Sequence, residues 1–307
     1  ASYGLRVTAE SEAREGDVLE VKSIQITSDH KEAKSDISIG ELNFADAGDG
    51  SVDVTISDTS SFVITTPAEG EGEPTEVTVN VSMPDFALKV SGTADELRTD
   101  YTAPSLTVSL AEINGVDADK VDLSADVTMT EMSGSSITKG TTDKSSTGTF
   151  AAKGMSVNFA AKDSEKGGDF TMAGTLADLA GNMSSTTVGT MDMADMAAAL
   201  KAGFAMSADY TYGKGDYTFA FTEAENTMNG SATVESGNFN VVMDKDKLGY
   251  GAGSKGAVVT VAGSQIPFPE LKVIYAESVF NFLMPVSKSD TPSDFAVVTK
   301  IIDLALP

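Results

Sequence analysis

Apolar and polar residues alternate one by one along most of the chain. The longest case runs from 121 to 129, where Val, Leu, Ala, Val and Met alternate with Asp, Ser, Asp and Thr. Because successive side chains of a strand point to opposite faces, this pattern predicts strands with one buried and one solvated face, which is typical of antiparallel sheets. We therefore expect a mainly β protein built on an extended, curved antiparallel sheet. The pattern returns in 52–56, 77–83, 106–110, 155–159 and 217–221.

Turn residues separate these segments. Pairs such as Asn114-Gly115 supply the positive φ angles that tight hairpins require. Across Gly40-Glu41 the alternation changes phase, because the apolar positions Ile39 and Leu42 are separated by two residues rather than one. A β-bulge produces this change of phase, so the sequence indicates an irregular strand at this point.

About three short helices are expected, two of them near the C-terminus. The first is 192–202, with methionines and a leucine on one face and Gly203 after its end. The second is 275–284, which is apolar almost all round. The third is 292–304, where a Thr-Pro-Ser-Asp start resembles a capping box with proline at the first helical position. We expect the two C-terminal helices to cover one side of the sheet.

The 307 residues allow two descriptions of the domain organisation. Residues 133–146 are rich in Ser, Thr and Gly, and we interpret them as a flexible connection. This divides the chain into an N-terminal β half, 1–132, and a C-terminal β half, 147–307, which carries the helices. The two halves either pack against each other or belong to one continuous domain.

The densest apolar run lies between 266 and 290 and provides the candidate site. One interpretation makes 275–284 a core helix that plugs the end of the sheet. The other makes the segment a lid or wall of a site for an apolar ligand. The side chains that would form this apolar wall are Phe268, Tyr275, Phe280, Phe282, Leu283 and Met284.

Charge and composition exclude several functions. With 46 acidic and 21 basic residues, the net charge of -25 excludes a nucleic-acid partner, which needs clustered Lys and Arg. There is no Cys, so disulfides, thiolate metal sites and a cysteine nucleophile are excluded. His30 is the only histidine, and it lies in a polar segment without a nucleophile motif. We therefore expect no enzyme activity, catalytic residue, metal or cofactor, and no transmembrane segment in this chain, because no apolar run is long enough.

The C-terminal sequence IPFPELKVIYAESVFNFLMPVSKSDTPSDFAVVTKIIDLALP resembles the alphaproteobacterial "domain of unknown function 2125" family of exported envelope proteins. TAESEAREGDVLEVKSIQI, GDGSVDVTIS and ALKAGF resemble the same family. The resemblance implies a periplasmic location after removal of a signal peptide. It also implies a loose relation to AsmA-like proteins, whose long curved sheets have an apolar concave groove implicated in lipid movement. It offers no catalytic residues.

Two functions follow from the pattern and the resemblance together. The leading hypothesis is a non-enzymatic envelope protein that binds a lipid or other apolar ligand in a groove of the curved sheet. The alternative is a structural or protein-interaction module of the envelope with no small-molecule ligand, whose protein partner the sequence does not identify. In the second case the apolar faces are packed core rather than a binding surface.

Overall fold

The computed structural model describes residues 5–29, 33–68, 74–115, 121–163, 165, 167–189, 191, 196–286 and 296–303. Within these residues the chain forms nineteen strands and one helix. All the strands belong to one hydrogen-bonded sheet, and every strand pairing is antiparallel. The prediction of a mainly β protein with a large antiparallel sheet is confirmed.

The strands before the helix are β1 (Leu5–Thr8), β2 (Ser11–Glu15), β3 (Val18–Asp29), β4 (Lys34–Asp46), β5 (Val52–Ile56), β6 (Thr59–Thr66), β7 (Thr75–Ser82), β8 (Ala87–Gly92), β9 (Glu96–Asn114), β10 (Val121–Lys139), β11 (Lys144–Asp163) and β12 (Gly168–Thr187). The helix α1 is Met196–Ala202. The strands after it are β13 (Ala205–Tyr212), β14 (Gly215–Glu223), β15 (Asn226–Val234), β16 (Ser236–Met243), β17 (Lys247–Gly263), β18 (Leu271–Pro285) and β19 (Ala296–Ile302).

The chain crosses the sheet back and forth, and each pass pairs with the pass before it and the pass after it. Some passes consist of two collinear strands: β5 and β6 both pair with β4, and β13 and β14 both pair with β12. One edge of the sheet is formed by β1 and β2, which pair with β3, and the other by β19, which pairs with β18. Among the described residues, every extensive backbone contact between elements is between hydrogen-bonded strands, and the helix α1 packs over one part of a face.

A line of backbone irregularities crosses the middle of the sheet. In β10 the apolar positions Met129 and Met132 are separated by two residues, and Glu131 between them has a φ of 48°. Ser23 in β3 and Asp178 in β12 have φ angles of 53° and 52° at the corresponding places. The irregularities lie side by side in the strand register, so we call this line the crease. It divides the sheet into a first limb, which contains residues 121–130 of β10, and a second limb, which contains residues 133–139 of the same strand. The crease includes the bulge that the sequence predicted at residues 40–41.

Each limb has one apolar and one polar face, and the two apolar faces lie on the same side of the sheet. In the first limb, Val127 is paired with Val108 on one side and Val157 on the other. The hydroxyl oxygen of Tyr275, in the first limb, lies 3.3 Å from Oγ of Ser254, in the second limb. Side chains therefore meet across the crease, and the sheet has one continuous apolar face.

The opposite face carries hydroxyl, amide and charged side chains. Arg98 donates two hydrogen bonds of 2.7 Å to the Asp100 carboxylate, and Nζ of Lys22 lies 2.9 Å from Glu20. These pairs are well exposed, so each contributes little to stability. The distribution matches the alternation of apolar and polar residues in the sequence.

The two predicted C-terminal helices are wrong. Residues 275–284 lie inside strand β18, and from 296 onwards the predicted helix 292–304 is strand β19; 292–295 and 304 lie outside the described residues. In β18 the true period is two, but Val279 and Leu283 are apolar residues on the polar face, and they hide the alternation. In β19 the β-branched residues favour a strand over a helix. These strands extend the sheet rather than cover it.

The predicted flexible connection at 133–146 is also wrong. Residues up to Lys139 belong to β10, and β11 begins at Lys144, so only a tight turn separates them. The hydroxyl groups that suggested a loop hydrogen-bond across the strands instead, as between Ser135 and Thr149 (3.1 Å) and between Thr138 and Ser146 (2.9 Å). Cross-strand hydroxyl pairs stabilise a sheet without apolar side chains.

The helix predicted at 192–202 is confirmed from Met196 to Ala202, and 192–195 lie outside the described residues. Gly203 has a φ of 111° and donates to the Leu200 carbonyl, while Phe204 donates to the Ala199 carbonyl, which together form a Schellman motif. Ala199, Leu200, Phe204 and Met191 form a buried cluster against the sheet, together with Met206 and Met243. In the described part of the chain, no helix is both long enough and apolar enough to cross a membrane.

Candidate functional site: the apolar face

Apart from the part beneath α1, the apolar face is open to solvent in the described structure. The accessible surface of the chain is 18727 Å², about one and a half times the roughly 12000 Å² expected for a compact monomer of this length. Large side chains of this face remain accessible, with Tyr250 40 % and Phe280 39 % exposed. A soluble monomer rarely exposes a contiguous apolar surface of this extent without a function for it.

A row of aromatic rings crosses four neighbouring passes of the second limb. The centroids of Tyr210 and Phe239 are 6.2 Å apart, those of Phe239 and Tyr250 are 4.9 Å apart, and those of Tyr250 and Phe280 are 6.0 Å apart. The register produces this row, because Phe239 lies opposite Tyr210, and Tyr250 follows on the next pass. We call these four rings the aromatic row. It presents rigid apolar surface along the sheet.

Several rings on this face lie flat over a glycine of the neighbouring strand. An alanine Cβ built at Gly134 would be 2.5 Å from the Tyr101 ring, and one built at Gly230 would be 2.6 Å from the Phe219 ring. These glycines leave room for the rings rather than supplying an unusual backbone angle. Pairing of an aromatic ring with a cross-strand glycine is a known way to fix strand register.

Hydroxyl groups interrupt the apolar face beside the crease. Ser254 Oγ lies 2.8 Å from Ser278 Oγ and 3.3 Å from the Tyr275 hydroxyl. The Tyr212 hydroxyl lies over Gly237 on the adjacent pass. Tyr217 lies across the crease from these groups. We call the five hydroxyl residues Tyr212, Tyr217, Ser254, Tyr275 and Ser278 the hydroxyl patch. The patch lies two residues along the strands from the aromatic row, as Ser278 does from Phe280. Polar groups are therefore next to the most aromatic part of the face.

Burial raises the pKa of the Tyr212 hydroxyl above its ordinary value, and the neighbouring Tyr275 and Tyr250 raise it further. Burial likewise raises the pKa of Tyr217, with a smaller contribution from Tyr212. A raised pKa keeps both hydroxyls protonated at neutral pH. They can therefore donate as well as accept hydrogen bonds, and they carry no charge.

Charged side chains are confined to the margins of the apolar face. Among the described strand residues away from the crease, the charged side chains at apolar-face positions are in edge strand β2 or at outer strand ends: Glu12, Arg14, Asp46, Lys144, Asp163 and Glu223. Within the same residues, no group of three or more His, Asp or Glu side chains is arranged to hold a metal ion. The face offers apolar contact and neutral hydroxyl groups.

The structure brings together four of the six residues that the sequence proposed as an apolar wall. Tyr275 lies on the apolar face in the first limb, and Phe280, Phe282 and Met284 lie on the same face of β18 in the second limb. Leu283 points to the opposite face because it alternates with these residues. Phe268 lies in the turn before β18 and is 62 % exposed. His30 lies outside the described residues.

Sequence reasoning missed most of the aromatic row and the hydroxyl patch. Tyr210, Phe239 and Tyr250 come from three different strands, and the pairing that brings them together is not visible in any one segment. A local signal does exist in 237–243, where Gly, Phe, Val and Met alternate with Asn and Val. That alternation identifies the face of a single strand but not its neighbours.

Comparison with known proteins adds no assignment. No protein-family model, no curated protein and no solved structure matches this chain. The resemblance to the "domain of unknown function 2125" family therefore stays a prediction, and the function must be inferred from the apolar face itself.

Proposed function

We propose that this protein is non-enzymatic and binds a lipid or other apolar molecule along the apolar face. The observation that supports this most directly is that the apolar face is continuous and that its aromatic row keeps exposed rings, although α1 covers Met206 and Met243 at one end of the face. Burying one large apolar side chain stabilises a protein by about 1.5–3 kcal/mol, so binding of a molecule that buries this face is favourable. An acyl chain or another apolar molecule would bury it.

The crease supports a curved sheet with the apolar face on the inside. Bulges bend the strands that contain them, and here they are aligned from pass to pass. On the apolar side, residues of the two limbs approach each other, as Tyr275 does to Ser254. A bend with this face inside would turn it into a groove, and a groove shields more of a bound chain from water than a flat face does.

The residues that would line this groove in the second limb are those of the aromatic row, together with Phe282 and Met284 on β18. Aromatic rings give large contact area at low conformational cost, and methionine adapts to irregular shapes. This combination suits a ligand of variable shape, such as an acyl chain. It agrees with a location in the periplasm, which is proposed here from the family resemblance. The net charge of -25 would help keep such a protein soluble while its apolar face is empty.

The test uses two adjacent valines of β16 that point to opposite faces. Val241 is paired with Tyr250 and Ala208 on the apolar face, whereas Val242 is paired with Ser207 and Gly249 on the polar face. The uncharged fluorescent probe N-phenyl-1-naphthylamine should bind the wild-type protein and lose most of its affinity for Val241→Asp. Val242→Asp is the matched control and should bind the probe normally. Circular dichroism should show that both variants keep their strand content.

Two results would overturn the proposal. If the wild-type protein binds neither the probe nor any acyl lipid, and native mass spectrometry of purified protein shows no bound lipid, the apolar face does not bind small molecules. If both valine variants bind the probe equally well, the probe binds elsewhere. Either result would favour the alternative of a structural or protein-interaction module.

A further inference from the structure

The hydroxyl patch offers hydrogen bonds beside the aromatic row, where the apolar face meets the crease. Its serines and tyrosines come from both limbs, so they meet only because the chain is folded across the crease. Serine and tyrosine hydroxyls can both donate and accept a hydrogen bond. A hydroxyl or an ester group of a ligand can therefore satisfy them.

The charges near the patch are balanced. Lys255 and Glu277 follow and precede Ser254 and Ser278 in their strands, and they lie opposite each other in the register of β17 and β18. The charged apolar-face positions away from the crease are at the margins, as described above. A carboxylate or phosphate seated among the hydroxyl groups would lose hydration and would meet the Glu277 carboxylate beside the Lys255 cation, so it would gain no net charge attraction. The net charge of -25 adds further repulsion.

The patch continues directly into apolar surface. Along β18, Ser278 is followed on the same face by Phe280, Phe282 and Met284, and along β17 Ser254 is followed by Ala252 and Tyr250. A molecule with a polar end at the patch would therefore lay its apolar part along these two strands, beside the aromatic row.

We propose that the hydroxyl patch binds the uncharged polar end of an acyl lipid of the alcohol or glycerol-ester type, while its acyl chain lies along β17 and β18. This selectivity for neutral over anionic lipids rests on the proposed function, since it specifies the ligand of the same face. It follows from the balance of Lys255 by Glu277 beside the patch and from the presence of hydroxyl groups there.

The experiment compares ligands with one acyl chain and different polar ends. Displacement of N-phenyl-1-naphthylamine is measured with monopalmitoylglycerol and with palmitate, at a pH where the carboxylate is ionised. Monopalmitoylglycerol should bind about tenfold more tightly, the equivalent of ~1.4 kcal/mol. The double variant Tyr212→Phe/Tyr275→Phe removes two hydroxyls but keeps both rings. It should lose most of this preference while binding the naphthylamine probe as the wild type does.

Tyr101→Phe provides the matched control, because Tyr101 lies on the same face over Gly134 and is not one of the patch residues. This variant should keep the wild-type preference. If palmitate binds as tightly as monopalmitoylglycerol, or if the double variant keeps the full preference while still binding the probe, the selectivity proposal is wrong and the proposed function stands. If the wild-type protein binds neither the probe nor either lipid, both proposals are wrong.

Discussion

Replacing Gly134 by alanine tests whether the rings on the apolar face are packed against glycine by necessity. The new Cβ would lie 2.5 Å from atoms of the Tyr101 ring, whereas carbon atoms in contact prefer about 3.5–4.0 Å. The ring must therefore move by about 1 Å from a position where it also stacks on Phe86, at a centroid distance of 6.4 Å. Overpacking of this kind costs about 1–3 kcal/mol.

Backbone entropy changes the free energy of unfolding in the opposite direction, so the sign of the effect depends on whether the Tyr101 ring is present. Alanine in a strand is more favourable than glycine by about 0.5–1 kcal/mol. Gly134→Ala should therefore lower the free energy of unfolding by about 1–2 kcal/mol in the wild type. In a Tyr101→Ala background the ring is gone, and the same substitution should raise the free energy of unfolding by about 0.5–1 kcal/mol.

The assay is urea unfolding followed by circular dichroism, with a double-mutant cycle over the four proteins. Gly168→Ala is the matched control, because the nearest atom to a Cβ at that glycine is 3.9 Å away and nothing has to move. That substitution should be neutral or slightly stabilising. If Gly134→Ala has the same effect with and without Tyr101, to within about 0.5 kcal/mol, the ring does not depend on the glycine and this reasoning is wrong.

Three further outcomes are expected. Leu200→Ala should lower the free energy of unfolding by about 2–5 kcal/mol, because Leu200 is 6 % exposed in the cluster beneath α1; a loss below about 1 kcal/mol in urea unfolding would contradict this. The raised pKa of Tyr212 contributes stability that is complete below the ordinary tyrosine pKa of 10.0 and is lost as the pH rises through the folded-state pKa. Tyr212→Phe should therefore flatten the alkaline loss of stability, and an unchanged pH profile would exclude the effect. Val298 is 54 % exposed on edge strand β19, so Val298→Lys should reduce any self-association measured by light scattering, and an increase would count against edge pairing.

The order of apolar and polar residues within one segment predicted those features of the fold that depend on that segment alone. The alternation in 121–129 assigns each of those residues to the face on which it lies, and the end of α1 at Gly203 follows from a glycine after an apolar stripe. The pattern failed in 275–284, where Val279 and Leu283 put apolar side chains on the polar face. An apolar run of this length does not distinguish a strand from a buried helix without knowledge of the neighbouring strands.

The candidate site was predictable only in outline. Phe280 and Phe282 were recognisable as surface that needs a cover, and they lie on the apolar face. The aromatic row and the hydroxyl patch depend on register between strands far apart in sequence, such as the pairing of Tyr210 with Phe239. Such a register is set by cooperative pairing across the whole sheet, which no single segment contains.

The back-and-forth path of the chain also has a mechanical consequence. The first and last described strands lie at opposite edges of the sheet, and each pass is held mainly by its two neighbours. Force applied to the two ends of the described chain would break the hydrogen bonds of an edge pass one after another rather than all at once. A pass of 20 residues such as β11 would release about 70 Å of chain when it detached. A molecule lying across several passes of the apolar face would tie them together, so that they resist tension as one unit.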